Sequence, residues 1–398
     1  MTQTLRRRPL FISACAGILV FGIVLAVLGT VFGLPEMRTR LGVDAAGQGN
    51  LLFLLYLGIF VASLLIGPLI DHLGNKVLLS VSSAIVAVAM VLFATAHSFA
   101  AASVAATLLG LGGGGLNTCP NVVVSDLYGE ERGPMLNLLG IFFGIGAVCV
   151  PLFAATIEGH FTIPQLFLFC AVLAAGCALW YAVISFPPAR ASQAFSLRDI
   201  LEVAGYDGVL LLGFILFFES GNEACIGGWT STYVDSTGHS PRIATLVLAA
   251  YWGALMLGRM LAAPVLRGIK KSRLIIGTGL VSLGGCVVLL SARSLGALFV
   301  GAAVIGLSYG PIFPTTLAVA GDRYSKRAGT VFGLLFSIAL IGGMVLPLAV
   351  GNVSQRAGVH AGMIVPLLGA VGIVGLSAAV MWRERSSGAM SKAAEARF

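Results

Sequence analysis

Hydrophobic positions along this chain come in blocks of about twenty residues with few polar interruptions. Strands of a lipid-facing barrel would alternate apolar and polar residues, whereas these blocks are apolar throughout. They therefore predict helices. Hydropathy and loop charges mark twelve of them, at 9–34, 48–70, 76–96, 99–124, 134–156, 164–187, 208–234, 242–265, 274–292, 296–320, 329–350 and 361–382. The expected fold class is all-α integral membrane, with twelve transmembrane helices.

Composition strengthens that reading. Apolar residues make up 58% of the 398 and charged residues 10%, against roughly 45–50% and about 25% for an ordinary soluble domain. The net charge of +8 would suit a nucleic-acid partner if the cations were clustered. They are instead sorted by loop. With the N-terminus placed inside, 18 of the 24 Lys and Arg fall on the inner side and five outside, with Arg259 left within a span. By the positive-inside rule both termini are expected in the cytoplasm, in an inner or plasma membrane, and no nucleic acid is needed. Arg6, Arg7 and Arg8 precede an apolar run too long for a signal peptide, so that run is a retained helix. The seven cysteines all fall within spans without metal-ligand or CxxC spacing and are expected to pack.

The chain also repeats itself. At a shift of about 195–196 residues, Tyr56-Leu57-Gly58 recurs as Tyr251-Trp252-Gly253. Gly110, Gly114, Asp126, Tyr128 and Gly133 recur as Gly306, Gly310, Asp322, Tyr324 and Gly329, and Gly146 and Pro151 as Gly342 and Pro347. One shift aligning three regions implies a duplicated six-helix unit. The expected organisation is an N-terminal bundle (1–187), a polar linker (188–207) and a C-terminal bundle with a short tail (208–398).

This arrangement resembles the major facilitator superfamily, whose two six-helix halves are parallel repeats around a substrate site near mid-membrane. Gly67-Pro68-Leu69-Ile70-Asp71-His72-Leu73-Gly74-Asn75-Lys76 is similar to its signature loop G-x-x-x-D-R-x-G-R-K, with His72 and Asn75 in place of two basic residues. The resemblance implies a transporter, with a monomer expected. Gating roles are expected for Asp71 in this loop, for Asp126 and Asp322 beside Arg132 and Arg323, and for Arg259 on the inner side of helix 8 with a carboxyl at the cytoplasmic gate.

The informative polar groups lie in Phe217-Phe218-Glu219-Ser220-Gly221-Asn222-Glu223, inside predicted helix 7. Glu219 and Glu223 are one turn apart and share a face. Counted from Gly208 they lie roughly 16 and 22 Å deep. An acid at mid-membrane costs about 2.5–3.5 kcal/mol on insertion scales, so a functional role outweighs a packing one. Two like charges in a low dielectric do not readily both ionise, which makes the pair a candidate protonation or cation site.

Gly221-Asn222-Glu223-Ala224-Cys225-Ile226-Gly227-Gly228-Trp229 further resembles helix 7 of the fucose/glucose permease-like sugar transporters, approximately G-A-E-x-x-I-G-G-W. Asn117-Thr118-Cys119-Pro120-Asn121, Asn137 in helix 5 and Trp252 in helix 8 agree with that branch. The resemblance implies a sugar bound by Asn121, Asn137 and Glu223, with Trp229 or Trp252 offering an apolar face. Asn117, Asn222 and Tyr309 are further candidate substrate contacts; interhelical bonding is the alternative for Asn117, Asn121 and Asn137, and packing for Tyr309. Helices 1 and 4, where proton-coupled fucose permeases place an acid, contain none. A proton, a sodium ion at Glu219/Glu223, or no coupled ion all fit the residues. Export of drugs or amphipathic metabolites is the rival. Gly112–Gly115 lacks the strand and Lys of a phosphate loop, and no catalytic, cofactor or metal pattern is found.

Overall fold

The computed structural model describes residues 2–129, 132–156, 162–187, 197–266 and 268–395. Its helices are α1 (Thr2–Phe32), α2 (Pro35–Leu41), α3 (Ala45–Thr95), α4 (Phe99–Tyr128), α5 (Arg132–Thr156), α6 (Ile163–Val183) and α7 (Leu197–Ala204). They continue as α8 (Val209–Ser236), α9 (Pro241–Leu266), α10 (Lys271–Leu290), α11 (Leu295–Arg323), α12 (Ala328–Ala357), α13 (Val359–Gly362) and α14 (Ile364–Glu395). Eleven helices among the described residues are long and apolar enough to cross a bilayer.

The longest of these crosses twice. At 1.5 Å per residue α3 would extend about 76 Å, against a hydrocarbon core of about 30 Å. Its two ends meet instead: Arg40, just before α3, donates to the carbonyls of Phe93 and Ala94 near its end and of Ala96 just past it, each at 2.8 Å. The fold-back is made at Gly74, whose φ of +74° suits a residue without a Cβ. Gly74 lies in the signature-like loop. The range of α3 thus covers two helices that meet at a non-helical Gly74, within a segment expected as loop, and the twelve expected crossings are kept. Other differences are small: α14 runs past 382, and α7 occupies part of the linker. Residues 188–196 of that linker lie outside the described residues.

The glycines that repeat along the sequence mark matching helix crossings. A Cβ on Gly110 of α4 would stand 2.0 Å from the Leu55 carbonyl oxygen of α3. One on Gly306 of α11 would stand 2.3 Å from the Tyr251 oxygen of α9. Gly114 meets Ile59 as Gly310 meets Leu255, and these partners are related by the same sequence shift. A Cβ on Gly146 of α5 would stand 2.0 Å from the Leu19 carbonyl oxygen of α1, and one on Gly342 of α12 would stand 1.9 Å from the Phe217 oxygen of α8. Lipid supplies little hydrophobic drive between helices, so close backbone approach through small residues holds such bundles together.

Twelve crossings return the chain to the face on which α1 begins, called here the near face; the opposite one is the far face. The two halves touch along α1 with α8, α3 with α12, and α5 with α9. On the near face, ion pairs tie the C-terminal half to itself and to α7. Asp207 accepts from Arg323 at 2.8 Å and from Arg383, Lys271 pairs with Asp322, and Arg327 reaches Asp199 and Glu202 at 3.2 and 3.1 Å.

Candidate functional site

The site is built on α8, which faces both its own half and the opposite one. Along a helix, Cα–Cβ bonds tilt toward the N-terminus. α8 and α9 run antiparallel, so Glu223 leans toward the near face and Arg259 of α9 leans toward the far face. The two side chains therefore converge, and an Arg259 Nη donates to Glu223 Oε2 at 2.9 Å. The guanidinium also sits 4.8 Å over the ring of Phe143 from α5, in the other half. Phe143 in turn meets Trp252 edge-on at 6.0 Å. The Tyr251 hydroxyl reaches the Glu223 backbone carbonyl at 3.4 Å. One ion pair thus stands at the boundary of the halves, within a set of aromatic rings.

Glu219, one turn nearer the α8 N-terminus, is 1% exposed, and neither carboxyl oxygen has a hydrogen-bond partner in the structure. Glu223 and Arg259 are its charged neighbours. Tyr56 of α3 and Tyr251 of α9 lie within electrostatic reach of both carboxyls. Arg259 supplies one positive charge against two carboxyls and is committed to Glu223. Glu219 is the uncompensated member.

Several candidate residues have partners within the C-terminal half. Asn222 is turned about 60° from Glu219 around the helix, which aims it into the C-terminal bundle. There, fully buried, it donates to Tyr309 Oη at 2.9 Å and to the Pro366 carbonyl at 3.0 Å. Asn222 and Tyr309 are interhelical bonding partners, turned away from the boundary between halves. Arg259 pairs with Glu223 deep in the bundle, not with a carboxyl at the near-face gate, because its long side chain extends back along α9. At the near face, Asp322 is bound by Lys271 and Arg323 by Asp207.

The remaining residues are placed as follows. Asn121 of α4 donates back to the Asn117 carbonyl at 2.6 Å, both half-buried. Asn137 of α5 is exposed, six residues or roughly 9 Å from Phe143 toward the near face. No hydrogen bond joins these three to α8 or α9 among the described residues. Trp229 is fully buried on α8, and the Trp252 ring covers Gly227, 2.6 Å from where its Cβ would be. Asp71 is half-buried beside the Gly74 turn and Asp126 is exposed. The side chain of Arg132 lies outside the described residues. Phe143 joins the site without any mark in the sequence that sets it apart from other aromatic residues, and Tyr56 and Tyr251 are marked there only as repeat equivalents. That Arg259 would pair with a carboxyl is legible, since an intramembrane cation seeks an opposite charge; which carboxyl is not.

A model of the Major Facilitator Superfamily matches residues 10–267 and 212–397. The chain belongs to that superfamily. It is a multi-pass secondary transporter of a family of transporters rather than enzymes. Among relatives of this major facilitator protein, an uncharacterized MFS-type transporter, YfkL of Bacillus subtilis, is 24% identical over 74% of this chain and 76% of its own. A glucose/galactose transporter of Brucella abortus is 23% identical over 84% and 85%. The crystal structure of a mutant of the nucleoside transporter NupG superposes with a TM-score of 0.77 at 16% identity, covering 94% of this chain and 98% of that one. That likeness is one of fold.

Proposed function

We propose that this protein moves a small polar solute, most simply a sugar, by alternating access, with both termini cytoplasmic. The N-terminal bundle would rock against the C-terminal one about the α5–α9 and α1–α8 contacts. The observation that carries this reading is the Glu223–Arg259 pair, held beneath Phe143 where the halves meet. A carboxylate and a guanidinium offer acceptors and donors to neighbouring hydroxyls, and the rings of Phe143 and Trp252 offer apolar faces to a pyranose. Asn117, Asn121 and Asn137 would supply the N-terminal half's contacts once the halves close, and Trp229 would support the wall. The helix 7 resemblance and the Brucella relative support a sugar. Glu219, uncompensated beside the pair, is the residue through which a proton or sodium ion would couple to transport. Asp71, Asp126 and Arg132 would belong to the near-face gate.

Counterflow of labelled hexoses in proteoliposomes tests the proposal. The parent protein is expected to exchange at least one hexose, and Glu223→Gln to lower that rate at least about tenfold. Exchange unchanged in the variant overturns the central-site assignment. A parent that exchanges no hexose overturns the sugar reading.

A further inference from the structure

The Gly227-Gly228-Trp229 stretch, which the sugar-permease resemblance sets beside a substrate, is used differently here. A Cβ on Gly29 of α1 would lie 1.9 Å from the Gly227 carbonyl oxygen, and one on Gly33 would lie 2.3 Å from Ser231 Cβ. A Cβ on Gly228 would meet Leu52 of α3 at 2.7 Å. Polar bonds reinforce these contacts. Gln48 of α3 is 1% exposed, and its Nε2 donates to the Gly228 carbonyl and to Thr232 Oγ1, both at 3.0 Å, while Thr232 Oγ1 lies 3.2 Å from Gln48 Oε1. Toward the far face, Arg38 of α2 pairs with Asp235 at 2.6 Å. Alongside, a Cβ on Gly49 of α3 would lie 3.0 Å from Gly351 Cα of α12. Every one of these contacts joins the N-terminal half to the C-terminal half on the far side of Glu223.

We infer that Gln48 and Arg38, closing on Gly228, Thr232 and Asp235 of α8, form the far-face gate of this transporter. They hold it shut in the conformation described here. The near-face ion pairs described above, Lys271–Asp322, Arg323–Asp207 and Arg383–Asp207, join the C-terminal half to itself and to Asp207 of the linker. The bonding suits a gate more than a permanent seam. A side-chain amide bound to a backbone carbonyl and a hydroxyl, plus one partly exposed ion pair, can be exchanged for water at small net cost. The glycines allow close backbone contact without interlocking side chains. Gly228 lies five residues, roughly 7.5 Å, beyond Glu223 on the same helix, so a tilt of α8 moves the ion pair and the gate together. Gln48, Arg38, Thr232 and Asp235 are positioning residues in this scheme; none needs to touch the solute.

The test does not depend on knowing the solute. Leu52→Cys places a smaller, reactive side chain at the closed seam, and a membrane-impermeant maleimide is applied from the far face, with the parent's seven cysteines giving the background. Labelling of Leu52→Cys is expected to be slow. It should rise at least about threefold when Gln48→Leu is added. It should rise again with Arg38→Asp or Asp235→Arg alone, and fall back when the two are combined to restore the pair with its charges exchanged. That recovery separates a gate from a misfolded chain. Labelling unchanged by Gln48→Leu and by both single reversals overturns the inference. So does a raised rate that the exchanged pair fails to lower.

Discussion

The two halves share a scaffold and differ in chemistry. Gly110, Gly114 and Gly146 in the first half and Gly306, Gly310 and Gly342 in the second sit at matching crossings, each against a neighbouring helix backbone. The polar groups do not match. The C-terminal half buries Glu219, Asn222 and Tyr309 and holds the half-buried Glu223 and Arg259, whereas the N-terminal spans α1, α4 and α5 contain no carboxylate deep in the bilayer. Packing geometry depends on the absence of side chains and tolerates little change, so it is kept in both copies. Chemistry needs one copy, and charge within a bilayer is costly. The asymmetry implies that the C-terminal half carries the charge and the N-terminal half completes the enclosure, with Phe143 over Arg259 as its nearest contribution.

The largest expected effect tests the shared part. Gly146→Leu and Gly342→Leu should each abolish most folded protein, because a side chain would be driven into a backbone carbonyl 2.0 and 1.9 Å from its Cβ. Overpacking typically costs about 1–3 kcal/mol where side chains can yield, and a backbone cannot. Detergent-solubilised monodisperse yield by size-exclusion chromatography reads the outcome. Comparable loss in both supports equivalent crossings; normal yield from either breaks the comparison.

How much of this is legible in the sequence follows the same division. Spans, repeat and crossing glycines can be read because hydropathy and small-residue spacing are local properties that leave a direct mark on the chain. Glu219 and Glu223 stand out for the same reason, as acids in an apolar run. Partners are harder. That Asn222 faces Tyr309 and Pro366, or that Asp322 binds Lys271 in place of the adjacent Arg323, depends on the rotation of each helix about its axis. Apolar blocks without a polar face do not encode that rotation. Gln48 escapes notice for a related reason: a single amide near the start of a span has no meaning until a second helix is brought against it.

A smaller effect sharpens the difference in chemistry. Arg259→Gln leaves Glu223 without its cation at the boundary between halves, and removing one partner of a buried pair usually costs more than removing both. The Glu223–Arg259 pair is partly exposed, with side chains 12% and 24% accessible, so the loss should be moderate. A fall in melting temperature of a few degrees is expected for Arg259→Gln, with partial recovery in the Glu223→Gln/Arg259→Gln double variant. Equal melting temperatures for all three would mean that the pair does not hold α8 to α9.

The smallest effect concerns Asn222, a candidate substrate contact that bonds Tyr309 and Pro366. Asn222→Leu removes two donated bonds between α8 and its neighbours and leaves the Tyr309 hydroxyl and the Pro366 carbonyl to find other partners. Interhelical bonds of this kind are worth about 0.6 kcal/mol on average in a membrane, so the melting temperature should fall only slightly. The informative measurement is the apparent affinity for a transported solute, taken per folded molecule. Because Asn222 points between α11 and α14, that affinity should stay within about twofold of the parent, while Glu223→Gln shifts it strongly. A large affinity change in Asn222→Leu would mean that α8 rotates during the cycle by enough to bring Asn222 to the boundary. Both faces of the helix would then take part in transport, and the division between a packing face and a chemical face would have to be given up.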